Sequence, residues 1–185
     1  DLARCWPPPQ GAGPPPARHL IDDHSRLIVG GGFVEQLAVV DFLSVLVPAI
    51  AQYGCPAMLF ADQAKIHKSA IVTNGLPRLG GKVVLGTVGH APGHGKIERL
   101  HQRAEDTLIE DLRRSPVETV EEATRFHELW REHEADEVHG EPDETPRSRW
   151  ALIEGNARIP SAEELLWAFR GEKDGARIDE VGAIR

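Results

Sequence analysis

Apolar and polar positions alternate in three distinct ways along this chain. Short runs with strand character occupy His19 to Asp22 and Leu27 to Val34, joined by Asp23-His24-Ser25-Arg26, and predict a hairpin. The Gly30-Gly-Gly32 run predicts a bulge or bend in its second strand. Val39 to Tyr53 reads as a mostly buried helix ended by Gly54 and Pro56. Ala57 to Phe60 and Lys82 to Leu85 read as short buried strands, with Gln63 to Asn74 helical between them. Further on, Ile97, Leu100, Ala104, Leu108 and Leu112 recur at helical spacing through Glu98 to Arg113, and Val120, Ala123, Phe126 and Trp130 do the same through Glu118 to His133. Ser161-Ala-Glu-Glu164 is a capping box before a short helix from Leu165 to Arg170.

The flanks differ. Residues 1–18 contain Pro7-Pro-Pro9 and Pro14-Pro-Pro16, which favour extended polyproline geometry and remove backbone donors. Residues 151–185 hold a linker, the short helix and, from Ala176, what reads as the opening of a β hairpin. The expected organisation is therefore a proline-rich segment over 1–18, a core over 19–150 and an appendage over 151–185. Trp130, Trp150 and Trp167 fall among apolar residues and are expected to be core anchors.

Composition sharpens this picture in two places. Cys5 and Cys55 make no disulfide framework or metal-ligand spacing, which points to a reduced cytosolic protein. The longest apolar stretch, Val39 to Ala51, contains Asp41, Ser44 and Pro48 and is too short to span a bilayer, so no membrane partner is expected. His90 and His94 have formal zinc spacing, but they sit in a glycine-containing loop without a third His or Cys at a matching interval, and no zinc site is expected.

Candidate chemistry lies in two acids. Asp62 closes the apolar run Leu59-Phe-Ala, and Glu98 follows His90-Ala-Pro-Gly-His-Gly-Lys-Ile, with thirty-five residues between them. A strand-end carboxylate and a helix-start carboxylate can together hold a divalent cation over a phosphate, because hard cations take oxygen ligands. With 29 acidic residues in the chain the spacing alone is weak evidence, and simpler roles exist: Asp62 as a helix cap, Glu98 as complement to a helix dipole.

The context is more specific. Strand, Asp62, amphipathic segment, second strand and Pro-x-x-Gly-Lys-Ile-Glu98-Arg99 resemble the second half of the DDE integrase core, the catalytic domain of insertion-sequence transposases and retroviral integrases. Leu20-Ile-Asp-Asp-His-Ser-Arg-Leu-Ile-Val-Gly30 resembles the hairpin of that domain, and Thr145-Pro-Arg-Ser-Arg-Trp150 its tail. The resemblance covers about residues 19–150. It implies an α/β, ribonuclease-H-like mixed sheet flanked by helices, its first strand missing or distorted, in a chain truncated at both ends and ending where a small β-barrel would begin.

By resemblance, Asp62 and Glu98 are the second and third metal ligands, and Asp1, on a stub Leu2-Ala-Arg-Cys-Trp6, is the remnant of the first. Asp22 and Asp23 fall in the hairpin, outside that site, with turn chemistry accounting for Asp23. Gln63-Ala64 stands where the family has Asn-Gly. The implied cofactor is Mg²⁺ or Mn²⁺, and the implied activity is DNA strand cleavage followed by strand transfer in integration or transposition. Lys96, Arg99 and Arg103 are the expected DNA contacts. Element-end and target DNA, with self-association on paired ends, are the implied partners, in a bacterial cytoplasm and on the nucleoid when bound.

Charge points the other way. The formal net charge is −8, whereas proteins that neutralise DNA phosphates usually carry excess Lys and Arg. Eleven of the acids lie between Glu118 and Glu144, while Lys96, Arg99, Arg103, Arg113 and Arg114 follow the His90 loop, so DNA contact is expected on the latter face. The alternative is a catalytically inactive remnant that binds nucleic acid or a transposase subunit. A structure-specific nuclease on the same fold is a third reading.

Overall fold

The hairpin forms where the polar tetrapeptide interrupts the two apolar runs. In the computed structural model, which describes residues 17–34, 38–62, 64, 67–86, 94–138 and 143–170, β1 (Ala17–Ile21) pairs antiparallel with β2 (Ile28–Phe33). Both acids serve the turn: Asp22 Oδ2 accepts from the Ser25 amide and hydroxyl, both at 2.7 Å, and Asp23 Oδ1 accepts from Arg26 at 3.3 Å, Arg26 taking a left-handed φ of 69°. Asp23 also meets Lys96.

The bulge expected in β2 is present, immediately before the glycines. Leu20 faces Gly30 while Ile21 faces Ile28, so the extra residue is Val29. The glycines stay in register and serve a different end: a Cβ on Gly31 would lie 2.5 Å from Cε1 of His127 and 2.8 Å from the Arg18 carbonyl. They let helix α5 (Val120–Asp136) lie directly on β2, where the Thr124 hydroxyl accepts from the Phe33 amide at 3.2 Å. Gly31→Ala is therefore expected to cost about 1–3 kcal/mol through overpacking, read as a lower urea midpoint with an unchanged m-value.

The chain divides into two compact units, 1–46 with 92–154 and 47–91 with 155–185, the division falling inside α1 (Val39–Tyr53). In the first, the hairpin packs with α5 and with a long helix made of α3 (His94–Ala104), a π-turn (Glu105–Ile109) and α4 (Glu110–Arg114). Ile28, Phe33, Leu100, Ala104, Leu108, Leu112, Ala123 and Trp130 form its core.

The π-turn has a sequence cause. Leu100, Ala104, Leu108 and Leu112 are spaced by fours, which in a 3.6-residue helix drifts about 40° per step. A wider turn absorbs that drift and keeps the stripe buried. It also places the Thr107 hydroxyl to donate to the Arg103 carbonyl at 2.7 Å while accepting from Trp130 Nε1 at 2.9 Å. Thr119 caps α5 by accepting from the Glu122 amide at 3.1 Å. α6 (Pro146–Ala151) starts with proline after the cap Thr145 and is clamped to the end of α5 by Arg147, which donates to Asp136 at 2.7 Å and to Glu132 at 2.8 Å.

In the second unit β3 (Leu59–Ala61) pairs parallel with β4 (Val83–Leu85), Leu59 facing Val83 and Ala61 facing Leu85. The connecting helix α2 spans Ala70–Arg78, later than the sequence pattern implies. Asn74-Gly75 and Pro77 look like stop signals, yet Gly75 is there for packing: a Cβ would lie 2.5 Å from the Phe169 ring. The helix ends instead at Gly80, at φ 92°. α7 (Ala162–Ala168) carries the expected capping box at Ser161 and Glu164. Trp167 is not a core anchor; it is half exposed, and the Arg78 guanidinium lies 5.3 Å from its ring centre.

Candidate functional site

Asp62 follows the last residue of β3, at the carboxyl end of a parallel pair, where α/β folds place their ligands. Its side chain is 60% exposed, and Oδ1 accepts from the Ala64 amide at 2.9 Å and lies 2.7 Å from Nδ1 of His67. The Ala64 bond makes an Asx-turn. The N-cap position of helix α2 is Ser69, which makes no side-chain capping bond, so Asp62, seven residues before it, is not the cap of that helix.

Glu98 is exposed on α3, more than a turn beyond His94, and α3 has no acid in its first turn. Complementing the helix dipole, an effect confined to the first turn, does not account for it. Asp62 belongs to the second unit and Glu98 to the first. Asp1, Gln63 and His90 lie outside the described residues, as do Cys5 and the stretch from Ala176.

The basic residues around Glu98 are largely engaged by acids. Lys96 Nζ donates to Asp23 Oδ1 at 2.6 Å, an interaction that holds the Asp23 carboxyl below the usual range. Arg103 reaches inward to the buried carboxylate of Glu134. Arg113 meets Glu105 at 2.9 Å and Glu110 at 3.4 Å, and Arg114 meets Glu110. Arg99 donates from Nε to the Gly95 carbonyl of its own helix at 3.0 Å.

Sequence reasoning missed a cluster of rings under the hairpin. His19 stands 5.0 Å from His127 and 5.4 Å from His101, ring centre to ring centre, with Trp130 against both His19 and His127. Among the described residues the ring nitrogens of His19 and His127 have no hydrogen-bond partner. Burial, and then the neighbouring rings, hold His19 down to about 3; burial, and then Arg131, hold His127 down to about 4. Burial lowers His101 too, against the opposing pull of Glu98. The signal was available: 123, 127, 130 and 134 lie on one helical face, but two of its members are polar.

Against solved structures the likeness is clear. The chain superposes on the catalytic core domain of BIV integrase with a TM-score of 0.60, at 16% identity over 74% of this chain and 85% of that one. It matches the HTLV-2 integrase catalytic core domain in complex with magnesium (TM-score 0.57, 14% identity, 72% of this chain and 91% of that one). A simian T-cell lymphotropic virus intasome matches at TM-score 0.64 and 16% identity, over 79% of this chain and 51% of that one. This is the fold of a retroviral integrase catalytic core. It is a mixed α/β structure with small sheets flanked by helices. No protein-family profile and no curated protein matches the sequence.

Among the described residues no group of three or more His, Cys, Asp or Glu side chains is arranged to hold a metal ion, and no helix is long and apolar enough to cross a membrane. The donor chemistry of the two described acids nonetheless fits a hard divalent cation: both offer carboxylate oxygens, and both are exposed on backbone fixed by a strand or a helix.

Proposed function

We propose that this chain is the catalytic core of an insertion-sequence transposase of the integrase class, cutting DNA at element ends and joining it to target DNA. The observation that carries the reading is the integrase-core fold with an exposed carboxylate, Asp62, directly after β3. Asp62, Glu98 and Asp1 would hold Mg²⁺ or Mn²⁺, which when bound supplies the positive charge that offsets charge developing on the attacking and leaving oxygens. The carboxylates orient that charge, while Lys96 and Arg99 hold phosphates in register without reading bases. Arg103, as part of the same basic stretch, would support contact from its half-exposed stem. Element-end and target DNA are the proposed partners, with self-association on paired ends, in a bacterial cytoplasm.

The test is direct: the purified chain with Mn²⁺ and labelled element-end DNA is expected to nick the strand, and Asp62→Asn to lose that nicking. Nicking that survives in Asp62→Asn overturns the reading.

A second reading, a non-cutting nucleic-acid-binding or subunit-binding protein, is favoured by the local neutralisation of Lys96 by Asp23 and of Arg113 and Arg114 by Glu110. Binding without nicking is its signature. On either reading Asp23 competes with DNA phosphate for Lys96. Asp23→Asn is expected to tighten DNA binding several-fold at low salt and to steepen the slope of log affinity against log salt by up to about one unit.

A further inference from the structure

We propose that His67 is a positioning residue for Asp62, donating from Nδ1 to the carboxylate and fixing the plane in which that carboxylate meets a divalent cation. The inference rests on Asp62 being a metal ligand, as proposed above, and adds a residue that the spacing of acids could not reveal.

The geometry carries it. His67 Nδ1 lies 2.7 Å from Asp62 Oδ1, and the same oxygen accepts from the Ala64 amide at 2.9 Å. An ionised carboxylate only accepts, so the proton of this contact sits on Nδ1. Two donors on one oxygen suppress rotation about the terminal torsion, which is otherwise broad for Asp, and so set the direction of Oδ2 as well. The His67 side chain is 11% exposed against 60% for Asp62: an enclosed ring supports an open carboxylate. Its backbone is held too, since the His67 amide donates to the Ala64 carbonyl at 3.1 Å. Carboxylates that bind metals commonly need such outer partners, and losing one weakens metal affinity about 10- to 100-fold.

Two measurements test this. In ¹⁵N spectra of the metal-free chain, His67 is expected as the Nδ1–H tautomer; the Nε2–H tautomer overturns the proposal. The second is Mn²⁺ affinity, followed by the paramagnetic resonance of free Mn²⁺ alongside the thermal unfolding midpoint. His67→Leu is expected to weaken Mn²⁺ binding about tenfold or more, with the midpoint nearly unchanged. His67→Asn, whose Nδ2 occupies the place of Nδ1, is expected to recover most of the affinity. If Asp62→Asn loses Mn²⁺ while His67→Leu binds it as the unmodified chain does, His67 has no positioning role and the metal site stands. If Asp62→Asn binds Mn²⁺ undiminished, the metal site itself is refuted and the positioning role falls with it.

Discussion

Replacing Glu98 by glutamine is expected to reduce Mn²⁺-dependent nicking of element-end DNA by a factor of about a hundred or more, while DNA affinity changes little. The substitution keeps size, shape and helix propensity and removes one negative charge from an exposed position, so folding is not at stake. A neutral amide oxygen is a poorer ligand for a hard cation than a carboxylate, and an ion held loosely misplaces the reacting groups. Repulsion of DNA phosphate by Glu98 also disappears, so binding should hold or improve slightly. Nicking by Glu98→Gln at the unmodified rate, with the urea midpoint unchanged, would show that the glutamate has no part in the chemistry.

How much of this was legible in the sequence follows from which interactions are local. Helix α1 matches its pattern at both ends because both are set locally, by Asp41 accepting from the Ala38 amide at the start and by Gly54, at φ 91°, at the stop, and the Ser161–Glu164 capping box is likewise complete within four residues. Helix α2 runs on past Asn74-Gly75, where its pattern suggests a stop, because the decisive contact, Phe169 against Gly75, comes from far along the chain. Glycine reads as a breaker unless the partner that needs the space is known. The glycine run of β2 is legible only in part: the bulge it suggests is there, at Val29 beside Gly30, but the room that Gly31 and Gly32 leave for His127 and Thr124 is not.

The candidate site divides similarly. Asp62 and Glu98 are visible in sequence because strand and helix patterns position them, and the structure removes the helix-cap account of one and the dipole account of the other. His67 is not visible, since no motif or periodicity in the sequence ties a histidine to an aspartate five positions before it. Lys96, Arg103 and Arg113 look like free cations in sequence, and only the folded chain reveals Asp23, Glu134 and Glu105 beside them.

The buried histidines predict acid instability in a window that separates them from carboxylates. His19 and His127 stand near 6.5 when unfolded and at about 3 and about 4 when folded. Between those values the unfolded chain binds more protons, so stability rises with pH. It is complete above pH ~6.5 and is lost as pH falls toward the folded values. The depressed carboxylates of Asp23, Asp136 and Glu164 act lower, starting near their ordinary values of about 4.

A tenfold drop in proton affinity on folding corresponds to about 1.4 kcal/mol, so protonating the two rings together costs on the order of several kcal/mol, comparable with the total stability of a domain. Their environment offers no relief: His101 on α3 and Arg131 on α5 bring like charge, Arg18 flanks His19 on β1, and the buried Glu134 is taken by Arg103. The urea midpoint is therefore expected to fall steeply between about pH 6.5 and about pH 4.5. In His127→Leu that slope should be shallower, because one of the two protonation sites is gone. A midpoint constant across this interval in the unmodified chain would mean that the rings are open to solvent, and the packing of α5 on the hairpin glycines would have to be abandoned with them.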